Sequence, residues 1–145
     1  MSIEFQPISY KELNGKQKEA YNFQMISAEL AKYGFVTIRT SSDWEGADFI
    51  AQHRGGKFLK VQLKSRLTFS KKYFGKDKEL YICFGEAGLW YLYPHDEMLQ
   101  QNLDRKFIGE KFWDEHREYS NPKLSKGQKQ LLDPYQLKPG RALSL

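Results

Sequence analysis

Apolar residues recur along the chain with two different spacings, which predict its helices and strands. Residues 1–14 contain Pro7 and no clear period, so we expect an extended arm or a short element. Between Asn14 and Gly34 the apolar positions fall three and four apart: Phe23, Ile26, Leu30 and Tyr33. This spacing predicts an amphipathic helix, which Gly34 ends.

Alternating or continuous apolar runs after this helix predict five strands. They cover residues 35–40, 48–51, 58–65, 80–84 and 89–93. Residues 41–46 are a polar loop, and Gly55–Gly56 and residues 85–88 supply two turns. Residues 67–78 lack a helical period and are predicted to be a basic loop.

The C-terminal part is predicted to be less regular. A short helix follows Pro94, a second is centred on Lys126–Leu132, and Pro134 ends it. We expect the last dozen residues to form a loosely packed tail. The core is expected over about 15–103, with a C-terminal extension over about 104–145.

The order of these elements predicts one α/β domain, a mixed central β-sheet flanked by helices. A chain of 145 residues is long enough to bury one core. Cys83, the single cysteine, excludes an internal disulfide and multi-cysteine zinc sites, and its apolar surroundings favour a core position. With no run of about 18 apolar residues and no apolar N-terminal segment, we expect a cytoplasmic protein without membrane contact.

The predicted strand over residues 58–65 has one apolar and one polar face. Alternation places Leu59, Val61 and Leu63 on one side and the polar set on the other: Lys60, Gln62 and Lys64. An edge strand exposed to solvent would have the same pattern. Its place between earlier and later strands favours a central position instead. There a row of polar side chains is costly unless they have partners or a task.

Asp48 is a candidate partner for this polar face, because it begins an otherwise apolar strand. A two-residue hairpin loop at Gly55–Gly56 would place Asp48 opposite Leu63, on the wrong face. A three-residue loop over residues 54–56, or a bulge near Asp48, would place it opposite Gln62.

Glu19 precedes Phe23 by four residues and so continues the apolar stripe of the first helix. It either points toward the sheet or simply lies at a solvated helix start, where the helix dipole favours an acid. Carboxylate and amide oxygens together hold hard cations such as Mg²⁺ or Mn²⁺, and a nearby ammonium stabilises charge on a phosphodiester.

The segments GADFIA (46–51) and VQLKSR (61–66) resemble the PD-(D/E)XK nuclease superfamily. The resemblance spans roughly residues 15–93 and includes the helical glutamate and the strand that follows it. It implies a restriction-endonuclease-like fold. It also implies metal ligation by Asp48, Gln62 and the carbonyl of Leu63, with Lys64 as the catalytic lysine and Glu19 assisting.

Two features depart from the superfamily pattern. Gln62 replaces the usual acid, as in branches that include some intron-homing endonucleases, so metal binding is expected to be weaker. Holliday-junction resolvases of the superfamily usually place a helix after the lysine strand. The basic loop predicted over residues 67–78 therefore disfavours junction resolution.

Basic residues are concentrated around this proposed site. The chain carries a net charge of +5, and nine of its 23 Lys and Arg residues lie between Arg54 and Lys78. This run is either a solvated surface or a surface that contacts phosphates. On the second interpretation six residues contact nucleic acid: Lys60, Arg66, Lys71, Lys72, Lys76 and Lys78. The aromatic residues among them either stack on bases or anchor the loop: Phe69, Tyr73 and Phe74.

These observations predict a Mg²⁺- or Mn²⁺-dependent endonuclease that acts on DNA through Asp48, Gln62, Lys64 and Glu19. A homodimer or higher oligomer is the natural way to cut both strands of a duplex. Two alternatives remain open: a non-catalytic nucleic-acid-binding module on the same fold, and a protein-interaction domain. The three histidines share no metal-ligand spacing and are interpreted as ordinary residues, with His95 singled out as a candidate functional exception.

Overall fold

The computed structural model describes residues 1–44, 46–75 and 80–142, without the side chains of 42–44. The described residues form four α-helices: α1 (Gly15–Ala31), α2 (His95–Asp104), α3 (Glu110–Glu115) and α4 (Lys126–Leu132). They also form seven strands: β1 (Phe35–Trp44), β2 (Ala47–His53), β3 (Phe58–Leu63), β4 (Leu67–Ser70), β5 (Leu80–Glu86), β6 (Leu89–Pro94) and β7 (Glu118–Asn121). None of the four described α-helices has the length and the apolar composition that a membrane-spanning helix needs.

Helix α1 forms where the apolar period predicts it. The side chain of Asn14 accepts a hydrogen bond from the N–H of Gln17, and Gln17 accepts one in return from the N–H of Asn14, both at 2.9 Å. This reciprocal capping satisfies N–H groups at the start of the helix. Ile26 and Leu30 are fully buried, so the predicted stripe covers the sheet.

Five strands form a mixed sheet in the order β1-β2-β3-β5-β6. Strand β3 pairs antiparallel with β2 and parallel with β5. Strand β3 is therefore central, as its place in the sequence predicts, and the edge-strand alternative is wrong. The mixed α/β class is confirmed.

The hairpin between β2 and β3 has the three-residue loop that aligns Asp48 with Gln62. Phe58 pairs with Gln52, and the N–H of His53 donates to the carbonyl of Lys57 at 2.7 Å. The last ladder pair is Phe49 with Val61. Continuing this register by one residue places Asp48 opposite Gln62.

Two apolar cores cover the two faces of the sheet. One lies under α1 and includes Phe49, Val61 and Cys83. Burial raises the pKa of the Cys83 thiol, as expected for a core residue. The other includes Ile82, Tyr93 and residues of α2, α4 and β4. The C-terminal part of the chain therefore completes the core on the face that also carries Gln62.

Residues 67–78 are not a loop throughout, which corrects the sequence prediction. Leu67–Ser70 form the buried strand β4, antiparallel to β7, and Lys71–Tyr73 form a 3₁₀ turn. The sequence of β4 alternates apolar and polar residues over only four positions, which is too short a run to identify a strand, and burial does not follow the alternation because Thr68 and Ser70 are buried too. The expected loose tail is also wrong in part, because the N–H of Leu137 donates to the carbonyl of Trp90 at 2.8 Å.

Candidate active site

Asp48 and Gln62 share the face of the sheet opposite α1. Phe49 and Val61, their neighbours in the ladder, are fully buried under α1, and successive strand residues point to opposite faces. Gln62 is only 9% exposed. Its amide oxygen Oε1 is buried and has no hydrogen-bond partner among the described residues.

Two hydrogen bonds to described residues help to hold Asp48 in place. Its Oδ2 accepts a hydrogen bond from the N–H of Leu63 at 2.9 Å, which ties the carboxylate to β3. The hydroxyl of Thr40 donates to the Asp48 carbonyl at 2.8 Å and is 3.1 Å from that of Ala47. The N–H and C=O groups of one residue in a strand point in the same direction. The carbonyl of Leu63 therefore points toward the side of β3 on which Asp48 lies, as its N–H does.

Lys64 follows on the same face as Gln62, at the end of β3. Its N–H donates to the carbonyl of Cys83 at 2.8 Å, so its backbone is fixed to β5. Its Nζ lies 5.4 Å from the ring centroid of Tyr73, which is buried. The ring of Tyr73 therefore attracts the Lys64 ammonium and helps to fix its position. The sequence singled out Tyr73 only as a residue that stacks on bases or anchors the loop.

Glu19 lies at the edge of the site. Its side chain is 73% exposed, and its carboxylate is 3.9 Å from the guanidinium of Arg39. Arg39 in turn lies over the Phe23 ring at 5.5 Å. Glu19 thus occupies a solvated helix start, as the alternative interpretation held, although it borders the same cavity as Asp48.

One cavity of about 590 Å³, at the end of the sheet beside the start of α1, brings these groups from the two sides together. Its lining includes every residue that the sequence proposed for catalysis or metal binding: Glu19, Asp48, Gln62, Leu63 and Lys64. Lys18 and Arg39 also line it, so cations border the carboxylates. The arrangement combines oxygen ligands with ammonium and guanidinium groups, which suits a phosphodiester. The catalytic roles themselves remain predictions.

The six proposed nucleic-acid contacts differ in accessibility. Lys60 is 5% exposed, so the prediction that it contacts nucleic acid is wrong. The alternation along β3 predicts which face Lys60 lies on, but it does not predict that other parts of the chain cover this face. Arg66, Lys71 and Lys72 are exposed. The ammonium of Lys71 donates to the carbonyl of Asp114 at 2.9 Å. Lys76 and Lys78 lie outside the described residues.

The aromatic residues of the basic segment divide in the same way. Phe69 and Tyr73 are buried in the second core and anchor the segment, which excludes base stacking by these two rings. Phe74 is 57% exposed and remains available for stacking.

His95 serves the fold and does not line the cavity. Its Nε2 accepts a hydrogen bond from the N–H of Ser70 at 3.0 Å, and its Nδ1 lies 2.7 Å from a carboxylate oxygen of Asp96. The other oxygen of Asp96 accepts from the N–H of Gly75 at 2.9 Å. Burial lowers the pKa of His95, while the bond to Asp96 opposes this shift. The histidine therefore fastens β4 to the start of α2.

The donor set fits a hard divalent cation. No group of three or more His, Cys, Asp and Glu side chains in the described parts of the chain is arranged to hold a metal. With an amide at position 62, however, the ligands would be the Asp48 carboxylate, the Gln62 amide oxygen and the Leu63 carbonyl. Leaving a buried polar atom unsatisfied costs about 1–3 kcal/mol. A cation at this point would give the Gln62 Oε1 a partner, which it does not have among the described residues.

No family model, curated protein or solved structure matches the chain. The function is therefore inferred from the residues and geometry of this cavity.

Proposed function

We propose that the chain is a divalent-metal-dependent endonuclease of the restriction-endonuclease-like fold, which hydrolyses DNA phosphodiester bonds in the cavity of Asp48, Gln62 and Lys64. The Oε1 of Gln62 carries this proposal, because it is buried, has no hydrogen-bond partner among the described residues and lies on the face that Asp48 and Lys64 share. A structural role for Gln62 would normally give that oxygen a hydrogen-bond donor.

Three groups would hold Mg²⁺ or Mn²⁺: the carboxylate of Asp48, the amide oxygen of Gln62 and the carbonyl of Leu63. When bound, the cation would supply Lewis-acid stabilisation of the phosphoryl group and lower the pKa of a water. Gln62 and Leu63 lie on β3, and the hydrogen bond from the N–H of Leu63 holds the Asp48 carboxylate against the same strand. The three groups are therefore held together before a cation binds.

Lys64 supplies positive charge where negative charge develops. Its ammonium has three donors, which can reach a non-bridging phosphate oxygen and orient the attacking water. The buried ring of Tyr73 beside it limits the positions that the flexible side chain adopts. Glu19 assists from the solvated edge, where its partner Arg39 is available to a phosphate.

Exposed Arg66, Lys71 and Lys72 follow Lys64 along the chain and would contact the phosphate backbone. One cavity acts on one strand, so a single chain would nick DNA. A homodimer would be needed to cut both strands at one place.

The test is metal-dependent cleavage of two substrates, a supercoiled plasmid and a single-stranded circular DNA. The two substrates together detect cleavage of double-stranded and of single-stranded DNA. Lys64→Ala should lower cleavage by about 100-fold or more, the usual effect of removing an electrostatic or proton-transferring group. Lys123→Ala is the matched control, because Lys123 is exposed and does not line the cavity.

Each outcome assigns a function. Cleavage by wild type and Lys123→Ala, lost in Lys64→Ala, supports the enzyme. Salt-sensitive DNA binding without cleavage by the wild type supports the binding module instead. The neutral Gln62, which gives the site one charge less than an acid would, is the observation that favours this alternative. Neither cleavage nor binding would leave the protein-interaction domain.

A further inference from the structure

A second cavity, of about 840 Å³, adjoins the candidate active site. The two cavities share the residues at the end of β3 and two residues that flank them: Leu63, Lys64, Ser65, Tyr10 and Asn22. The second cavity extends from there between α1 and the β5–β6 turn. A chain molecule bound at Lys64 can therefore enter both.

Aromatic and apolar side chains form the walls of the second cavity. The rings of Tyr10 and Tyr21 lie 5.4 Å apart, and each residue is 44% exposed. Met25 is 45% exposed beside them, and the indole of Trp90 lines the cavity too. Half-exposed aromatic side chains suit a flat ring system, which gains dispersion and stacking energy beside them.

Charge distinguishes the two cavities. Lys18, Arg39 and Lys64 border the first, together with the acids Glu19 and Asp48. Glu29 and Glu86 line the second with Lys32, which pairs with Glu29, and with Lys64, so the first cavity carries the larger net positive charge and attracts a phosphate more strongly. A nucleotide spanning both cavities would thus place its phosphate beside Lys18 and Lys64 and its base among the aromatic rings.

We propose that the second cavity binds an unpaired nucleobase next to the scissile phosphate. This proposal rests on the proposed function and narrows its substrate class to DNA with a single-stranded nucleotide at the cut, such as an overhang, flap or gap. In an uninterrupted duplex the base is paired and stacked. It would enter a cavity between a helix and a hairpin only after unstacking, which is costly.

The experiment measures oligonucleotide binding in EDTA, by fluorescence anisotropy of a labelled single-stranded oligothymidine and a blunt duplex of equal length. The wild type should bind the single strand more tightly. Tyr21→Ala should weaken single-strand binding about 5- to 100-fold and leave duplex binding unchanged, because it removes one stacking surface. Tyr21→Phe, which keeps the ring, should bind like the wild type.

Two further variants guard against effects on folding. Met25→Glu places a charge in the cavity from a half-exposed helix position and should also weaken single-strand binding. Phe112→Ala removes an exposed aromatic on α3 that lines neither cavity and should change nothing. Thermal melting checks that each variant is folded.

The outcomes separate this inference from the proposed function, because EDTA binding does not depend on cleavage. Ring-dependent single-strand binding without metal-dependent cleavage would keep the base site and overturn the enzyme. Cleavage with equal effects of Tyr21→Ala on both oligonucleotides, or with none, would keep the enzyme and overturn the base site. A wild type that prefers the duplex or binds neither oligonucleotide also overturns the base site.

Discussion

The carboxylate of Asp48 accepts a hydrogen bond from the main-chain N–H of Leu63 at 2.9 Å, beyond the last ladder pair of β2 and β3. A side chain here takes the place of a ladder acceptor. Leu63 stands between Gln62 and Lys64, so this bond sets the distance from the acid to both. Asp48 thus has a structural task as well as a proposed chemical one.

The two tasks of Asp48 can be separated by substitution. Asp48→Asn keeps an oxygen for the Leu63 N–H but loses the charge, so it should melt close to wild type while metal-dependent cleavage is lost. Asp48→Ala should lose cleavage and also about 1 kcal/mol of stability or more, because the N–H loses its partner. Thermal unfolding and DNA cleavage measure the two effects. Wild-type cleavage by Asp48→Asn would contradict the metal-ligand role.

The sequence left two registers open for Asp48, opposite Leu63 or opposite Gln62, and the structure has the second. Loop length determines hairpin register, and the three residues between His53 and Lys57 align Asp48 with Gln62. The strands before and after β3 indicated its central place for a similar reason. Both conclusions require only neighbouring segments of the chain.

What the sequence did not predict depends on distant segments. Strand β4 pairs with β7, about fifty residues later, and each has only four residues. The burial of Lys60 follows from what covers its face, and alternation cannot say what that is. The ring of Tyr73 reaches Lys64 only because β4 and its 3₁₀ turn fold back over the sheet.

The buried His95 predicts a pH-dependent stability. Its pKa is lowered from 6.5 in the fold, so between the folded and unfolded values the unfolded chain binds more protons and the free energy of unfolding rises with pH. The contribution should be fully present above about pH 6.5 and decline on acidification, because the protonated Nε2 no longer accepts from Ser70.

Urea unfolding at several pH values tests this. His95→Gln removes the titrating group, so its deficit against the wild type should shrink as the pH falls below 6.5. His116→Gln is the control, because His116 is exposed on the end of α3. A deficit of His95→Gln that is constant from pH 5 to 8 would contradict the assignment.

Tyr73 is predicted to act as a positioning residue for Lys64. Tyr73→Leu removes the ring beside the ammonium and should lower kcat about 2- to 30-fold, the range of a cation–π interaction, with little change in KM. Tyr73→Phe retains the ring and should rescue kcat. Single-turnover cleavage measures the rate. Equal loss in both variants, in proportion to their loss of stability, would indicate a role in folding alone.

Gln62 offers the most direct test of a metal site. The amide gives the cavity one negative charge less than the usual acid, and metal affinity depends on ligand charge. Gln62→Glu keeps nearly the same shape and should bind Mn²⁺ about tenfold more tightly or better in a calorimetric titration. The new carboxylate can also pair with Lys64, which lines the same cavity, so metal affinity is a cleaner readout than cleavage rate.

The matched control is Gln52→Glu, an identical change at an exposed position of β2 that does not line the cavity. It adds the same charge to the protein, so a general electrostatic gain would appear in both variants, whereas a ligand effect appears only at position 62. Adding Asp48→Ala to Gln62→Glu should abolish the gain, because both oxygens contact one cation. Negligible heats from the wild type and from Gln62→Glu would mean that the cavity holds no metal. The buried Oε1, which has no hydrogen-bond partner in the described part of the chain, would then need another explanation.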